Sequence, residues 1–307
     1  MATKYLNLFT DFGFKKIFGE EACKPLLLDF LNALLPLPSK IKEITFKNTE
    51  QLGATAADRK AVYDIYCENE LGEKFIVELQ KVKQNFFIER TIYYSTFPII
   101  EMVERGNPDY NLKAIYCIGI LDFTFYDYGD DPTKNNVLHE IKLRNPEGKV
   151  FYDKLTYIYL EMPNFRKTEK ELVTRLDKWL YFIKNLEDFQ SIPEIFKNEV
   201  VFLEAFGKAE IAKFNQSEMS LYQSNLKILR DWYSITKYAT DEAERKGMER
   251  GMEKGLEKGI LQGKEVGKQE GINHGLSLVA KNLKDSGMDT DFIIKATGLS
   301  ADEINKL

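Results

Sequence analysis

Two acidic side chains stand inside stretches of the chain that are otherwise apolar. Asp64 lies within residues 61–67 and Glu78 within residues 75–79, and both stretches are rich in Val, Ile, Phe and Tyr. Short apolar runs of this kind are typical of strands that are buried on both faces. Residues 68–74, which contain Asn and Gly, separate the two runs and predict the loop of a β-hairpin.

The predicted hairpin brings the two acids together. If its loop is centred near Leu71, Asp64 lies opposite Glu78 and Val62 lies opposite Gln80. Facing Cβ atoms in such a pair are roughly 5 Å apart. Because residues two apart on a strand share a face, Gln80 is expected on the same face as the two acids.

Facing carboxylates destabilise a sheet, so the pair needs an explanation. In one interpretation the pair lies at a sheet edge, where both groups reach water or one of them stays protonated. In the other, the pair holds a hard divalent cation. Mg²⁺ prefers oxygen ligands and often binds through one or two carboxylates together with substrate phosphates. Such a site suits the hydrolysis of phosphodiester bonds.

At these residues the chain resembles a known family. Asp64, thirteen intervening residues and then Glu78-Leu79-Gln80 are similar to the signature of the PD-(D/E)XK nuclease superfamily, in which most members have Lys where Gln80 stands. More specifically, the chain resembles the Rpn family of recombination-promoting nucleases, also known as PD-(D/E)XK family transposases. Further support comes from residues 10–18, 58–60 and 90–95 and from a tail with Gly at every fourth position.

The resemblance implies a metal-dependent DNA endonuclease with little sequence specificity and a role in recombination or mobile-element biology. It implies that Asp64, Glu78 and the main-chain carbonyl of Leu79 bind Mg²⁺ or Mn²⁺, and that Gln80 orients the attacking water. Gln80 lacks the positive charge that Lys would supply. The alternative is therefore a catalytically inactive, oligomeric DNA-binding or scaffold protein that keeps the nuclease fold.

Three residues are candidates for contacts with DNA. Lys60 and Arg90 can replace part of the missing positive charge. Arg90 interrupts an aromatic stripe on a helix predicted over residues 84–106, where it either pairs with a core acid or reaches the scissile phosphate through its planar guanidinium. Tyr94 is one position away from the stripe and is expected to line the same cleft.

Two further acids are accessory candidates near the metal. Thr10 or Asp11 can cap a helix predicted over residues 12–18, and capping is the ordinary role of an acid at this place. The other interpretation of Asp11 is an additional acid beside the metal. Glu20 is a weaker candidate for the same role.

Composition limits the functions that are open to the chain. It has 307 residues, a formal net charge of −5, 2 His and 3 Cys. The net charge argues against a uniformly basic nucleic-acid-binding surface, and the two histidines argue against a His-rich zinc site. The cysteines lack a CxxC spacing, which indicates small buried residues without disulfides. No apolar run reaches the ~20 residues of a membrane span, and we expect a cytoplasmic protein.

The predicted elements suit a restriction-endonuclease-like αβββαβ core with a mixed sheet, in the α/β class. A helix over 84–106 joins the third strand to a fourth over 113–123, so these two strands are expected to be parallel. Pro98 is expected to kink or split that helix. The remaining core elements are helices over 12–18 and 22–35, a first strand over 41–48, and later strands over 137–144 and 155–161.

The rest of the chain is predicted to be helical. We expect a nuclease-like core over residues 1–165, an α-helical extension over 166–240, a Gly-rich segment over 241–275 and a small helical module over 276–307. Glycines at every fourth position favour either a flexible linker or a helix that packs closely on a second chain. We expect a homodimer or higher homo-oligomer through this tail and the C-terminal module, in which Ser300 caps the last helix.

Overall fold

The computed structural model describes residues 3–51, 61–103, 110–125 and 133–307 of the chain, and these residues form an α/β architecture. The strands are β1 Ile44–Phe46, β2 Glu50–Gln51, β3 Ala61–Val62, β4 Ile65–Asn69, β5 Lys74–Gln80, β6 Ile115–Leu121, β7 Leu138–Arg144 and β8 Val150–Glu161. The α-helices are α1 Asp11–Phe18, α2 Lys24–Leu34, α3 Phe87–Met102, α4 Arg175–Asn185, α5 Val200–Ala209, α6 Gln216–Asp285, α7 Thr290–Thr297 and α8 Ala301–Asn305.

The central sheet is mixed and has the strand order β1-β4-β5-β6-β8-β7. β4 and β5 are antiparallel with Ile65 opposite Val77, which is the register that the predicted hairpin requires. β5 and β6 are parallel, as expected for strands joined through α3, and β6 is also parallel to β8. The order of helices and strands confirms the predicted αβββαβ core.

The predicted strand over residues 61–67 is interrupted. β3 pairs with β2 in a separate two-stranded sheet, so Val62 lies opposite Glu50 and not opposite Gln80. Asp64 stands in a bend between β3 and β4. The carboxylate of Asp64 accepts a hydrogen bond from the main-chain amide of Leu79 in β5. If β4 continued through this residue, a main-chain carbonyl of β4 would accept that hydrogen bond instead. The β4–β5 hydrogen-bond ladder therefore ends at Asp64, where the side chain takes the place of the main-chain acceptor.

Helix α3 differs from the prediction at its start and at its proline. The prediction began at residue 84, but the chain turns at Phe86, which has a φ of 61°, and α3 follows it. Pro98 lies inside α3 and does not split it. Because Pro98 has no N–H, the carbonyl of Tyr94 lacks its usual helical donor, and it accepts a hydrogen bond of 2.9 Å from the hydroxyl of Tyr63 instead.

The main core lies against one face of the sheet, and helices α1, α2, α4 and α5 contribute to it. Trp179 of α4 is fully buried among the rings of Phe18, Phe30 and Phe202. Its indole N–H donates to Asp29 at 2.7 Å, which satisfies the polar atom that burial would otherwise isolate. The region after residue 165 therefore packs with the N-terminal helices. All three cysteines are buried and free, as predicted.

The glycine-rich tail is helical. α6 has 70 residues and includes the eight glycines spaced four apart, so a flexible linker at this place is wrong. Contacts divide the chain into two compact units, Met1–Arg230 and Asp231–Leu307. In the second unit Ala280, Ile293 and Ile304 form a small core, and Ser300 caps α8 as predicted. Within the described residues, no helix combines the length and the apolar composition that crossing a membrane requires.

Candidate active site

Two hydrogen bonds between side chain and main chain hold the acid pair across the β4–β5 hairpin. The amide N–H of Asp64 donates to Oε1 of Glu78 at 3.2 Å, and the amide N–H of Leu79 donates to Oδ2 of Asp64 at 2.7 Å. Each carboxylate is thus fixed by the backbone of the opposite strand. The predicted juxtaposition of Asp64 and Glu78 is confirmed, although Asp64 lies just outside the ladder.

Both carboxylates have raised pKa values. Burial, reinforced by the charge of Asp64, raises the pKa of Glu78 to about 8. Burial also raises the pKa of Asp64, against the opposing effect of the hydrogen bond from Leu79. At neutral pH without a cation, the pair therefore retains a proton. Two partly buried acids in this condition form a typical site for a positive ion.

Gln80, whose side chain is buried, positions Arg90. Its Oε1 accepts a hydrogen bond of 2.5 Å from Nη2 of Arg90, and its Nε2 donates to the carbonyl of Val82 at 2.8 Å. Arg90 also donates to Gln84 and lies 5.8 Å from the ring centre of Tyr94. The buried Nε of Arg90 has no hydrogen-bond partner among the residues that the structure describes.

Tyr94 and Glu78 line one small pocket, together with Thr91 and Tyr159. Sequence reasoning missed Gly119, which lies opposite Glu78 on β6. A Cβ at Gly119 would lie 2.8 Å from Cδ1 of Tyr159, so the glycine gives that ring its place beside the acid. The Tyr159 hydroxyl in turn makes a hydrogen bond of 2.7 Å with the hydroxyl of Thr91 on α3. The sequence feature that could have indicated Gly119 is a single glycine inside an apolar strand, which often marks the close approach of another group.

Helix α1 contributes charges to the site. Thr10 is its N-cap and accepts from the amide of Gly13 at 3.0 Å, so Asp11 is not the cap. Asp11 instead forms an exposed ion pair of 2.7 Å with Lys15. Both charges act on Asp64, since Lys15 lowers its pKa and Asp11 raises it. Lys15, one of the residues of the 10–18 motif, thus places a positive charge that lowers the pKa of Asp64.

The other predicted residues are less closely connected with the acid pair. Glu20 forms an ion pair of 3.0 Å with Lys16, which also pairs with Glu218. Lys60 lies outside the described residues. In the described part of the chain, no group of three or more His, Cys, Asp or Glu side chains is placed to hold a metal. A cation here would depend on two carboxylates and on oxygens from the main chain, substrate or water.

Comparison with known proteins agrees with this geometry. Residues 8–239 match the model of a family described as PD-(D/E)XK nuclease family transposase, which supports the resemblance to Rpn proteins. Neither the curated proteins nor the solved structures gave a significant match. Because the family model covers most of the chain and includes both acids, this protein belongs to the PD-(D/E)XK nuclease family transposases.

Proposed function

We propose that this protein is a DNA endonuclease that depends on a divalent metal ion, Mg²⁺ or Mn²⁺, held by Asp64 and Glu78. The observation that carries the proposal is the facing pair itself, whose carboxylates are partly buried, linked to each other's strands and raised in pKa. Two like charges in this arrangement are unfavourable without a cation. The fold alone would not require such a pair.

The donor set fits a hard cation. Carboxylate and carbonyl oxygens are the ligands that Mg²⁺ and Mn²⁺ prefer. The N–H of Leu79 points to Asp64, and the N–H and C=O of one strand residue point the same way, so the Leu79 carbonyl lies on the side of the acids. Asp64, Glu78 and this carbonyl would hold the ion. Bound there, the ion would supply an acidic water and a counter-charge for the phosphate.

Arg90 supplies the fixed positive charge that Lys supplies in most of the superfamily. Its guanidinium is held by Gln80 and Gln84, and its charge acts on both acids. The guanidinium keeps N–H donors beyond the two that bind Gln80 and Gln84, and these can bind a phosphate oxygen. In this proposal Gln80 acts chiefly as a positioning residue for Arg90. It keeps one amide hydrogen and one lone pair for the attacking water.

Cleavage of supercoiled plasmid tests this proposal. We expect the purified protein to convert supercoiled DNA to nicked and linear forms with Mg²⁺ or Mn²⁺, and we expect EDTA to stop the reaction because the acids alone cannot activate water. Asp64→Asn, which keeps the size of the side chain, should be inactive under all conditions. Equal cleavage by wild type and Asp64→Asn would show that the activity does not depend on Asp64 and would refute the proposal.

We further propose that α6 pairs with the α6 helix of a second copy through its glycines, so that the nuclease works as a homo-oligomer. A Cβ added to any of the eight glycines would meet nothing within 4 Å, so no contact within the chain requires them. Four apolar side chains next to them are exposed, Met248, Met252, Leu256 and Ile260. Glycine stripes allow helices to approach closely and bury such neighbours.

Alanine substitutions in α6 separate the two roles of its glycines. Gly255→Ala with Gly259→Ala should stabilise the helix by about 1 kcal/mol per site, because alanine is the better helix former. The same change should weaken the oligomer by separating the backbones. Circular dichroism would measure helicity and light scattering would measure mass, with Glu257→Ala as the control in the same turn. Higher helicity with unchanged mass would show that the glycines make no contact between chains.

A further inference from the structure

The connection between β5 and α3 contains a strained aromatic residue. Phe86 has a φ of 61°, and it is the only non-glycine residue with a positive φ in the described part of the chain. Bulky side chains rarely adopt this left-handed conformation, because Cβ then crowds the backbone. Glycine or asparagine would adopt it at lower cost. An aromatic residue therefore occupies this position although its backbone conformation is unfavourable for a bulky side chain.

The ring of Phe86 does not contribute to the core. Phe86 is 76% exposed, whereas the next residue, Phe87, is buried. The Phe86 carbonyl accepts the N–H of Arg90 at 2.9 Å, but its side chain makes no capping hydrogen bond. The strain therefore presents a large apolar ring to solvent at the start of α3. Local strain of this kind is concentrated at functional sites.

The surroundings of Phe86 suit a nucleotide. Lys83 in the same connection is exposed, and Gln84 binds Arg90. A cavity of about 380 Å³ adjoins the ring and has an aromatic wall that includes Phe123 and Phe125. Positive charge together with an exposed ring is the combination that binds single-stranded nucleic acid. The connection itself has no acid, and the nearest one, Glu89 in the first turn of α3, is exposed.

We propose that Phe86 stacks on an unpaired nucleobase next to the phosphate that faces the acid pair, and that the preferred substrate is single-stranded or locally opened DNA. The inference rests on the proposed function and adds the structure of the substrate. The main-chain carbonyl of Phe86 accepts the N–H of Arg90, so the two side chains start about one turn apart and can contact the base and phosphate of neighbouring nucleotides. Stacking on an aromatic ring tolerates any base, which agrees with low sequence specificity.

Oligonucleotides that carry 2-aminopurine test the stacking. The wild-type protein in EDTA should quench the fluorescence of a single-stranded or gapped probe more than that of an intact duplex, because stacking quenches this base. Phe86→Ala should lose the quenching and weaken single-strand binding by about 5- to 150-fold, the range for one lost stacking contact. Phe86→Tyr, which keeps the ring, should retain both properties.

Phe151 provides the matched control, since it is an aromatic residue of β8 that is 81% exposed. Phe151→Ala should leave quenching and affinity unchanged. Melting temperatures of Phe86→Ala and Phe86→Gly should not fall, because the ring packs on little and glycine relieves the strain. Loss of binding together with a lowered melting temperature and no recovery in Phe86→Tyr would reveal a structural role and overturn the inference.

The outcomes distinguish this inference from the proposed function. Metal-dependent cleavage that Asp64→Asn abolishes, together with unchanged binding by Phe86→Ala, would overturn the stacking role alone. Quenching that depends on Phe86 without any cleavage would keep the stacking role and overturn the endonuclease. Equal weakening of single-strand and duplex binding in Phe86→Ala, or no binding by the wild type, would also overturn the inference.

Discussion

Glu78→Gln should abolish DNA cleavage and, at the same time, make the metal-free protein more stable at pH 8. The amide cannot hold a divalent cation as a carboxylate does, so the rate should fall by roughly 10³-fold or more. It also removes one of two facing charges while keeping the shape of the side chain. A residue that lowers stability for the sake of activity is expected at a catalytic centre.

The pH dependence of this effect follows from the raised pKa. Glu78 titrates at about 8 in the folded protein, against roughly 4.3 in an unfolded chain. Between these values the folded state binds a proton that the unfolded state releases. Wild-type stability should therefore fall as pH rises through this window and level off above it. The loss should be on the order of a few kcal/mol, since one unit of pKa is worth about 1.4 kcal/mol.

Urea unfolding between pH 5 and pH 9, with and without Mg²⁺, checks this prediction. Mg²⁺ should stabilise the wild type more at pH 8 than at pH 5, because the ion replaces the shared proton, and it should not stabilise Glu78→Gln. Glu140→Gln is the control, since Glu140 is an exposed acid of β7 paired with Lys142 at 2.8 Å. It should change stability by less than about 0.5 kcal/mol. A destabilised Glu78→Gln at pH 8 would contradict the charge-pair interpretation.

Gln80→Lys should impair the enzyme instead of restoring the residue that most of the superfamily carries. Oε1 of Gln80 accepts a hydrogen bond from Arg90, whereas an ammonium group has three donors and no acceptor. The new charge would lie beside the guanidinium, and like charges at such a distance repel strongly in a partly buried site. Arg90 would be displaced from the acids, and we expect at least a tenfold lower kcat/KM.

Exchanging the two residues provides the matched control. The double variant Gln80→Lys/Arg90→Gln keeps the number of charges and again pairs a donor with an acceptor. It should recover part of the activity that Gln80→Lys loses, whereas Arg90→Gln alone should be as poor as Gln80→Lys. Nicking rates of the four proteins form a double-mutant cycle that gives the coupling. A single Gln80→Lys variant more active than the wild type would show that Arg90 is not the substitute for Lys.

The register of the hairpin was predictable because local chemistry determines it. Gly72 adopts a φ of 78°, and the side chain of Asn69 accepts hydrogen bonds from the amides of Leu71 and Glu73. These features belong to the loop itself, so the loop sequence indicates its centre and hence the facing of the two acids. The interruption before β4 was not predictable, because it depends on a side chain that replaces a main-chain acceptor.

Other parts of the site depend on contacts between distant residues. Lys15 acts on Asp64 from α1, which packs on α2 and α5 and whose Phe12 amide donates to Asn225 of α6 at 3.1 Å. That contact spans more than two hundred residues, and no local pattern reveals it. The pairing of Arg90 with Gln80 depends on where α3 begins, which Phe86 determines through its unusual backbone conformation.

The hydrogen bond from the Tyr63 hydroxyl to the carbonyl of Tyr94 has a consequence for catalysis. Pro98, which has no N–H, leaves this carbonyl without its helical donor. Tyr63 immediately precedes Asp64, and Tyr94 lies one turn after Arg90 on α3. The metal-binding segment and the phosphate-binding helix are therefore joined before any substrate arrives. A site joined in this way is preorganised, so little entropy is lost when metal and DNA bind. A proline in the helix thus contributes to the rigidity of an acid 34 positions away in the chain.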